Sequence, residues 1–237
     1  MRNLATISQE LLDLALTPSQ LDSFRVYADE LMIWNQRTNL TAIVEREAVA
    51  VRHFVDSLSC LLALRLPLAG ARVIDVGTGA GFPGLPLKIV CPGMDLTLVE
   101  ATGKKVDFLH HVVEVLGIEG VTVINERAET LGRMAEHREA YDWALARAVA
   151  GMSTLAEYLL PLCRVGGACL AQKGEAAHQE VAEAHHAIHV LGGRLRGFTQ
   201  VELPTVAETR YLVTIDKVAA TPPRYPRRPG IPTKRPL

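Results

Sequence analysis

The chain divides by the spacing of its apolar positions. Across residues 3–65 they recur every three to four residues, whereas from Arg72 onward short β-branched and apolar runs alternate with longer amphipathic ones. The first part predicts helices over ISQELLDLAL, SQLDSFRVYADELMIWNQ and EREAVAVRHFVDSLSCLLAL. Thr17 opens the second of these with Pro18 at the first helical position, where a fixed φ suits the helix. The second part predicts strands over 72–76, 95–99, 121–125, 142–146, 167–172, 197–203 and 211–217. Helical runs fall near 84–91, 103–116, 128–135, 151–162 and 174–191. Strands separated by helices argue an α/β fold with a doubly wound, mostly parallel sheet and helices on both faces. LPTVAETRY joins the last two strands with no helical run, which predicts an antiparallel pair at one edge. The expected division is a helical cap over 1–66, a sheet domain over 67–220 and a tail over 221–237.

The chemistry concentrates where the first strand ends. RVIDVGTGAGFPG, Arg72 to Gly84, runs a short apolar strand into Asp75 and then four glycines, Gly77, Gly79, Gly81 and Gly84. Glycine takes positive φ freely and lets the backbone approach a ligand. The next strand, MDLTLVE, ends in Glu100, an acid placed to bond the ribose hydroxyls of an adenosine cofactor. Dinucleotides and S-adenosylmethionine share this layout. Counted from Gly77, the sixth position of G-x-G-x-x-G is Phe82, too large for the helix packing a dinucleotide loop needs. The acid before the first glycine suits the ammonium of S-adenosylmethionine, and the seven-strand ending favours the Rossmann-like methyltransferase form of the sheet. Gly77, Gly79 and Glu100 are therefore cofactor-binding candidates.

Composition narrows the setting. With 237 residues and 49% apolar content, the chain can bury a full core. The N-terminus lacks the apolar core of a signal peptide and no apolar run approaches a membrane span, so a cytoplasmic protein with no membrane is expected, as a monomer. Cys60, Cys91, Cys163 and Cys169 form no C-x-x-C pair and no zinc box, and no metal site is expected. Charge is uneven. The last sixteen residues carry Arg224, Arg227, Arg228, Lys234 and Arg235 with no acid, leaving 20 basic against 26 acidic residues in the body. Two readings of this proline-rich tail stay open: a solvated, disordered end, or an arm whose cations contact RNA phosphates while Tyr225 stacks on a base.

Ligands in such sheets lie beyond the carboxyl ends of the strands. Glu129 follows the third strand and is either an adenine contact or a helix-start acid. Arg147 ends an apolar fourth strand, where a cation needs an anionic partner, and Lys173 follows the fifth; these two are the catalytic candidates. No N/D-P-P-Y/F loop follows the fourth strand, which reads ARAVAG, and no cysteine is set as a nucleophile. Ring nitrogens, hydroxyls and carboxyls remain as methyl acceptors. Guanine N7 needs no general base, because its lone pair attacks without losing a proton. His53, Asp56 and Ser57 share one helix as rim residues, and His53 is within reach of Asp56. His185 and His189 lack a third ligand and read as a solvated face. Trp34 and Leu40 read as core. Asn35, Asn39 and Thr41 read as turn or cap residues.

WNQRTNLTAI at 34–43, RHFVDSL at 52–58, VIDVGTGAGFPGLPLKIV at 73–90, VEATGKKVDFL at 99–109 and YPRRPGIPTKRPL at the end resemble the ribosomal RNA small subunit methyltransferase G family, also called glucose-inhibited division protein B. The resemblance runs nearly end to end. It implies methyl transfer from S-adenosylmethionine to N7 of a guanosine in 16S ribosomal RNA of the small subunit. It also implies cofactor contacts at Gly77, Phe82, Glu100, Ala101, Thr102, Ala128, Glu129 and Arg147. The chain departs from the family at Ala146, where serine is common. A dehydrogenase, a methyltransferase of another substrate and a non-catalytic ribosome assembly factor are the alternatives; no Tyr-x-x-x-Lys pair supports the first.

Overall fold

The computed structural model describes residues 2–64 and 67–237, so the expected boundary at 66 lies outside the described residues. Seven strands form one sheet in the order β3-β2-β1-β4-β5-β7-β6. The strands are β1 (Arg72–Val76), β2 (Asp95–Val99), β3 (Val121–Ile124), β4 (Tyr141–Arg147), β5 (Cys163–Lys173), β6 (Gly193–Val201) and β7 (Arg210–Lys217). The first five pair in parallel, and β7 lies antiparallel between β5 and β6, as the helix-free connection predicted.

Alternation along the central strands sorts side chains into two cores. Val73, Leu98, Trp143, Leu145, Ala168 and Leu170 face one side; Ile74, Val99, Ala144, Ala146, Cys169 and Ala171 face the other. With both faces covered, the strands read as unbroken apolar runs. The first face lies under α5 (Gly84–Val90), α6 (Gly103–Leu116) and the cap. The cap comprises α1 (Arg2–Leu12), α2 (Pro18–Thr38) and a long helical run. Thr17 caps α2 through a reciprocal box with Gln20, and Asn39, at φ 50, ends it. Phe24, Tyr27, Leu31, Phe54 and Leu58 are fully buried beneath these helices.

The helical run carrying RHFVDSL is not uniform. It starts as α3 (Arg46–Val49), widens into a π-helix over Ala50–Val55, returns as α4 (Asp56–Leu58) and tightens into a 3-10 turn at Ser59–Leu62. Such π segments often sit at functional sites. The second face lies under α7 (Ala128–Leu131), α8 (Met152–Leu159), α9 (Ala177–Glu183) and α10 (His185–Val190). Small residues at 144, 146 and 171 let α8 approach closely. The helix predicted over 174–191 is two, broken at Ala184 (ψ 1°). β5 and β6 each begin four residues before the predicted start, across register shifts beside Gly166, Gly167 and Gly197, whose glycines mask strand character.

The tail is docked. It packs along α7 and α8 and ends in α11 (Ile231–Lys234). The disordered reading gives way to this finding. Arg138 donates to the backbone oxygens of Thr221, Tyr225 and Gly132 at 2.7–2.9 Å, and Arg133 to Pro226 O at 2.7 Å. Arg227 grips the fully buried Glu157 with Nε at 3.0 Å from Oε1 and Nη2 at 2.6 Å from Oε2. Tyr225 is 7% exposed, inside the second core, so its ring cannot stack on a base as the arm reading supposed.

Candidate active site

The glycine loop turns its amides inward. Gly77 and Thr78 donate to Val99 O, Gly81 and Phe82 to Thr78 O, Gly79 to Glu100 Oε2 and Gly84 to Asp75 Oδ2. A pyrophosphate would need such N–H groups free, so the loop does not suit a dinucleotide. Asp75 is not the ammonium contact that the sequence suggested. It is wholly buried beneath the loop, accepts from Thr78 Oγ1 at 2.6 Å and Gly84 N at 2.8 Å, and burial pushes its carboxyl up to about 6. Gly77, at φ +67, leaves no room for a side chain: a Cβ would lie 2.8 Å from Val149.

Two clefts open at the carboxyl edge of the sheet. One, of about 480 Å³, has apolar walls from Val76, Val99, Ala128 and Val149 and carries Gly77, Glu100, Ala101 and Glu129. Five of the sequence candidates thus meet there. Both Glu100 oxygens accept backbone N–H groups, from Gly79 and Thr102, and each keeps a lone pair for a ribose hydroxyl. Glu129 is 2% exposed and accepts from Gly230 N at 2.8 Å, so its carboxylate ties down the tail. Thr233 and Pro236 of the tail complete the wall. Tyr158 and Thr154 stood in no motif, and the tail motif gave no sign that Thr233 and Pro236 would line this cleft.

The second cleft, of about 420 Å³, lies across the 148–150 loop and is lined by His53, Asp56, Arg147, Gln172 and Lys173, with Arg52 and Arg210 at its edge. Arg147 donates to Asp56 Oδ2 at 2.8 Å and to His53 Nδ1 at 3.3 Å, and its guanidinium lies 4.8 Å over the Phe82 ring. His53 and Asp56 therefore meet through Arg147 rather than each other. His53 Nε2 reaches Thr41 Oγ1 at 2.8 Å, and Thr41 is held by Asn35. Burial, then the adjacent Arg147 charge, lowers His53 to about 3, so the ring is neutral. Ser57 bonds His53 O within the helix. Lys173 pairs with Glu180 at 2.6 Å and donates to Ala150 O, which fixes the loop between the clefts.

Other candidates fall elsewhere. Phe82 is 4% exposed under the cap, stacked on Tyr27 and His53, and Gly79 and Thr102 reach the cofactor cleft only through Glu100. In the tail, Arg224, Arg228, Lys234 and Arg235 are exposed. His185 and His189 are exposed on α10, and among the described residues no cluster could hold a metal. No helix among them is long and apolar enough to cross a membrane. Trp34 packs against Phe108 and Leu40 is buried, as read.

A seven-stranded sheet of this order, with an acid at the tip of β2 and a glycine loop whose amides are bonded within the protein, defines a Rossmann-like methyltransferase. Solved structures agree on the fold: geranyl diphosphate methyltransferase in complex with SAM has a TM-score of 0.55 at 13% identity, covering 69% of this chain and 85% of that one. The cyclase SpnF has a TM-score of 0.55 at 17% identity, over 69% and 81%. The family model GidB, rRNA small subunit methyltransferase G, matches residues 20–208. The chain is 53% identical to ribosomal RNA small subunit methyltransferase G of Roseiflexus castenholzii over 94% of each protein. Its counterpart in Moorella thermoacetica is 46% identical over 100% of this chain and 98% of its own. The chain belongs to the rRNA small subunit methyltransferase G family.

Proposed function

We propose that the protein transfers methyl from S-adenosylmethionine to N7 of a guanosine in 16S ribosomal RNA of the small subunit. When bound, the cofactor supplies an electrophilic methyl on a sulfonium. Glu100 would take the ribose hydroxyls, the valine-lined cleft the adenine, and Ala101, Ala128 and Glu129 its rim. The observation that supports the acceptor atom is that no carboxylate, histidine or lysine lining the second cleft is both unpaired and accessible among the described residues; Asp56 Oδ1, which lacks a partner, is buried. Asp56 and Glu180 are ion-paired, Lys173 is the partner of Glu180, and neutral His53 is engaged at both nitrogens. A ring nitrogen with a lone pair needs no such base. Catalysis then rests on holding the nucleophile in line with the methyl. Arg147, fixed on three sides, positions that cleft rather than moving a proton.

Arg224, Arg228, Lys234 and Arg235 fit an electrostatic contact with RNA phosphates, whereas Arg227 serves Glu157. The test is transfer of labelled methyl from S-adenosylmethionine to unmethylated small subunits and to stripped 16S RNA, with nucleoside analysis. Label in N7-methylguanosine supports the reading; label in any other nucleoside overturns it.

A further inference from the structure

Beside the second cleft, three rings form a cluster at the surface. His178, in the first turn of α9, stacks on Phe198 of β6 with centroids 4.0 Å apart and planes 27° from parallel, and meets the edge of Tyr211 of β7 at 5.0 Å. Phe198 and Tyr211 are half-buried against the second core, whereas His178 is exposed. Phe198 covers one face of the imidazole, so its exposure comes from the opposite face and the ring edge. Among the described residues it forms no hydrogen bond or ion pair, and ring contacts alone hold it. The cluster adjoins the cleft through the sheet. Tyr211 stands directly opposite Lys173 in the antiparallel β5–β7 pair, so the two side chains share a face. Lys173, Gly174 and Glu180 line the cleft, and His178 lies between the last two in the chain. Glu180 pins α9 there by pairing with Lys173 and accepting from Met152 N at 3.0 Å.

We infer that the nucleotide next to the acceptor guanosine stacks its base on the open face of His178, while Arg210 contacts the phosphate between the two. The inference rests on the proposed reaction and assigns the RNA a second nucleotide position on the enzyme. Proteins hold unpaired RNA by splaying its bases onto aromatic rings. A ring already stacked on Phe198 and flanked by Tyr211 offers its face with little rotamer freedom left to lose. Every base has a π-face, so this position fixes the strand without reading its sequence. Arg210 precedes Tyr211 in the chain, lines the cleft and forms no ion pair among the described residues, which leaves its charge for a phosphate.

The experiment maps the methylated guanosine with the wild-type protein and rebuilds small subunits on RNA lacking the base on its 5′ or its 3′ side. One of the two abasic RNAs should lower wild-type kcat/KM roughly fivefold to a hundredfold, the worth of one base stacked on a ring. His178→Leu still covers Phe198 but has no aromatic face. It should lose the same factor on intact RNA and little more on that abasic RNA, with calorimetric affinity for S-adenosylmethionine kept. His178→Phe should keep the wild-type rate, which a hydrogen-bonding role for the imidazole would not allow. Equal wild-type rates on intact and both abasic RNAs would overturn the assignment, as would losses from His178→Leu and the missing base that multiply. The wild-type comparison decides alone if the leucine variant does not fold. Absence of N7-methylguanosine from intact RNA would overturn the reaction, and this assignment with it.

Discussion

The two ends of the chain close over the same sheet by different physics. The N-terminal cap does so with apolar side chains: Phe24 and Phe54 lie 4.9 Å apart, and Tyr27 stacks on Phe82 at 5.4 Å. The C-terminal tail does so with guanidinium groups on backbone oxygens and with one ion pair on a buried carboxylate. An apolar cap loses stability in proportion to the surface a substitution exposes. A polar clamp loses it abruptly, when one partner is left unpaired.

The largest effects should therefore look alike in size and differ in rescue. Arg227→Ala strands the Glu157 carboxylate and should cost about 3–5 kcal/mol, visible in thermal or denaturant unfolding. Phe54→Ala should cost a similar ~3–5 kcal/mol through a cavity. Adding Glu157→Met to an Arg227→Met change should recover most of the first loss, because the uncompensated charge is gone. A double variant as unstable as the single would erase the difference between apolar cap and polar clamp.

A smaller, pH-dependent effect tests the cap junction. His53 is lowered to about 3, so the unfolded chain binds a proton below its ordinary 6.5 while the folded one does not. The His53 contribution is therefore absent above pH 6.5 and destabilises increasingly as pH falls toward 3. Asp75, raised to about 6, acts oppositely, destabilising as pH rises from about 4 to 6. The two largely offset each other in that window. His53→Gln should gain stability relative to wild type by up to about 1.4 kcal/mol per pH unit below 6.5. A difference that does not vary between pH 4 and 6 would show the ring to be protonated in place.

The exposed tail cations, unlike Arg227, should matter for RNA alone. Arg228→Ala with Lys234→Ala should weaken RNA binding and lower its log–log salt slope by about 1–2, with melting temperature and cofactor affinity kept. An unchanged slope would leave the tail a purely structural strap. Smallest of all, Arg25→Ala on the exposed face of α2 should change stability by less than about 0.5 kcal/mol, despite its pair with Asp22 at 2.9 Å.

The same contrast explains what was legible. The cap and the central strands follow from periodicity because burial writes itself into spacing, and Glu100 and Arg147 stood out as charges at the tips of apolar strands. Glu157, an acid within the apolar run LAEYLL, carried the same signal as Arg147 but was not singled out in the sequence. Its partner lies seventy residues away. The tail clamp was illegible because Arg133 and Arg138 bind carbonyl oxygens, which every residue possesses and no side-chain pattern marks. The partition between the clefts was hidden for a related reason: it depends on Lys173 holding Ala150 O.

Thr233 and Pro236 of the tail form part of the wall around the cleft assigned to adenosine. The ligand chamber is consequently walled by residues that follow the last strand of the sheet in the chain, so strand pairing alone does not complete it. A change that lifts the segment carrying Thr233 and Pro236 off α8 would act on that chamber directly while leaving every strand of the sheet paired.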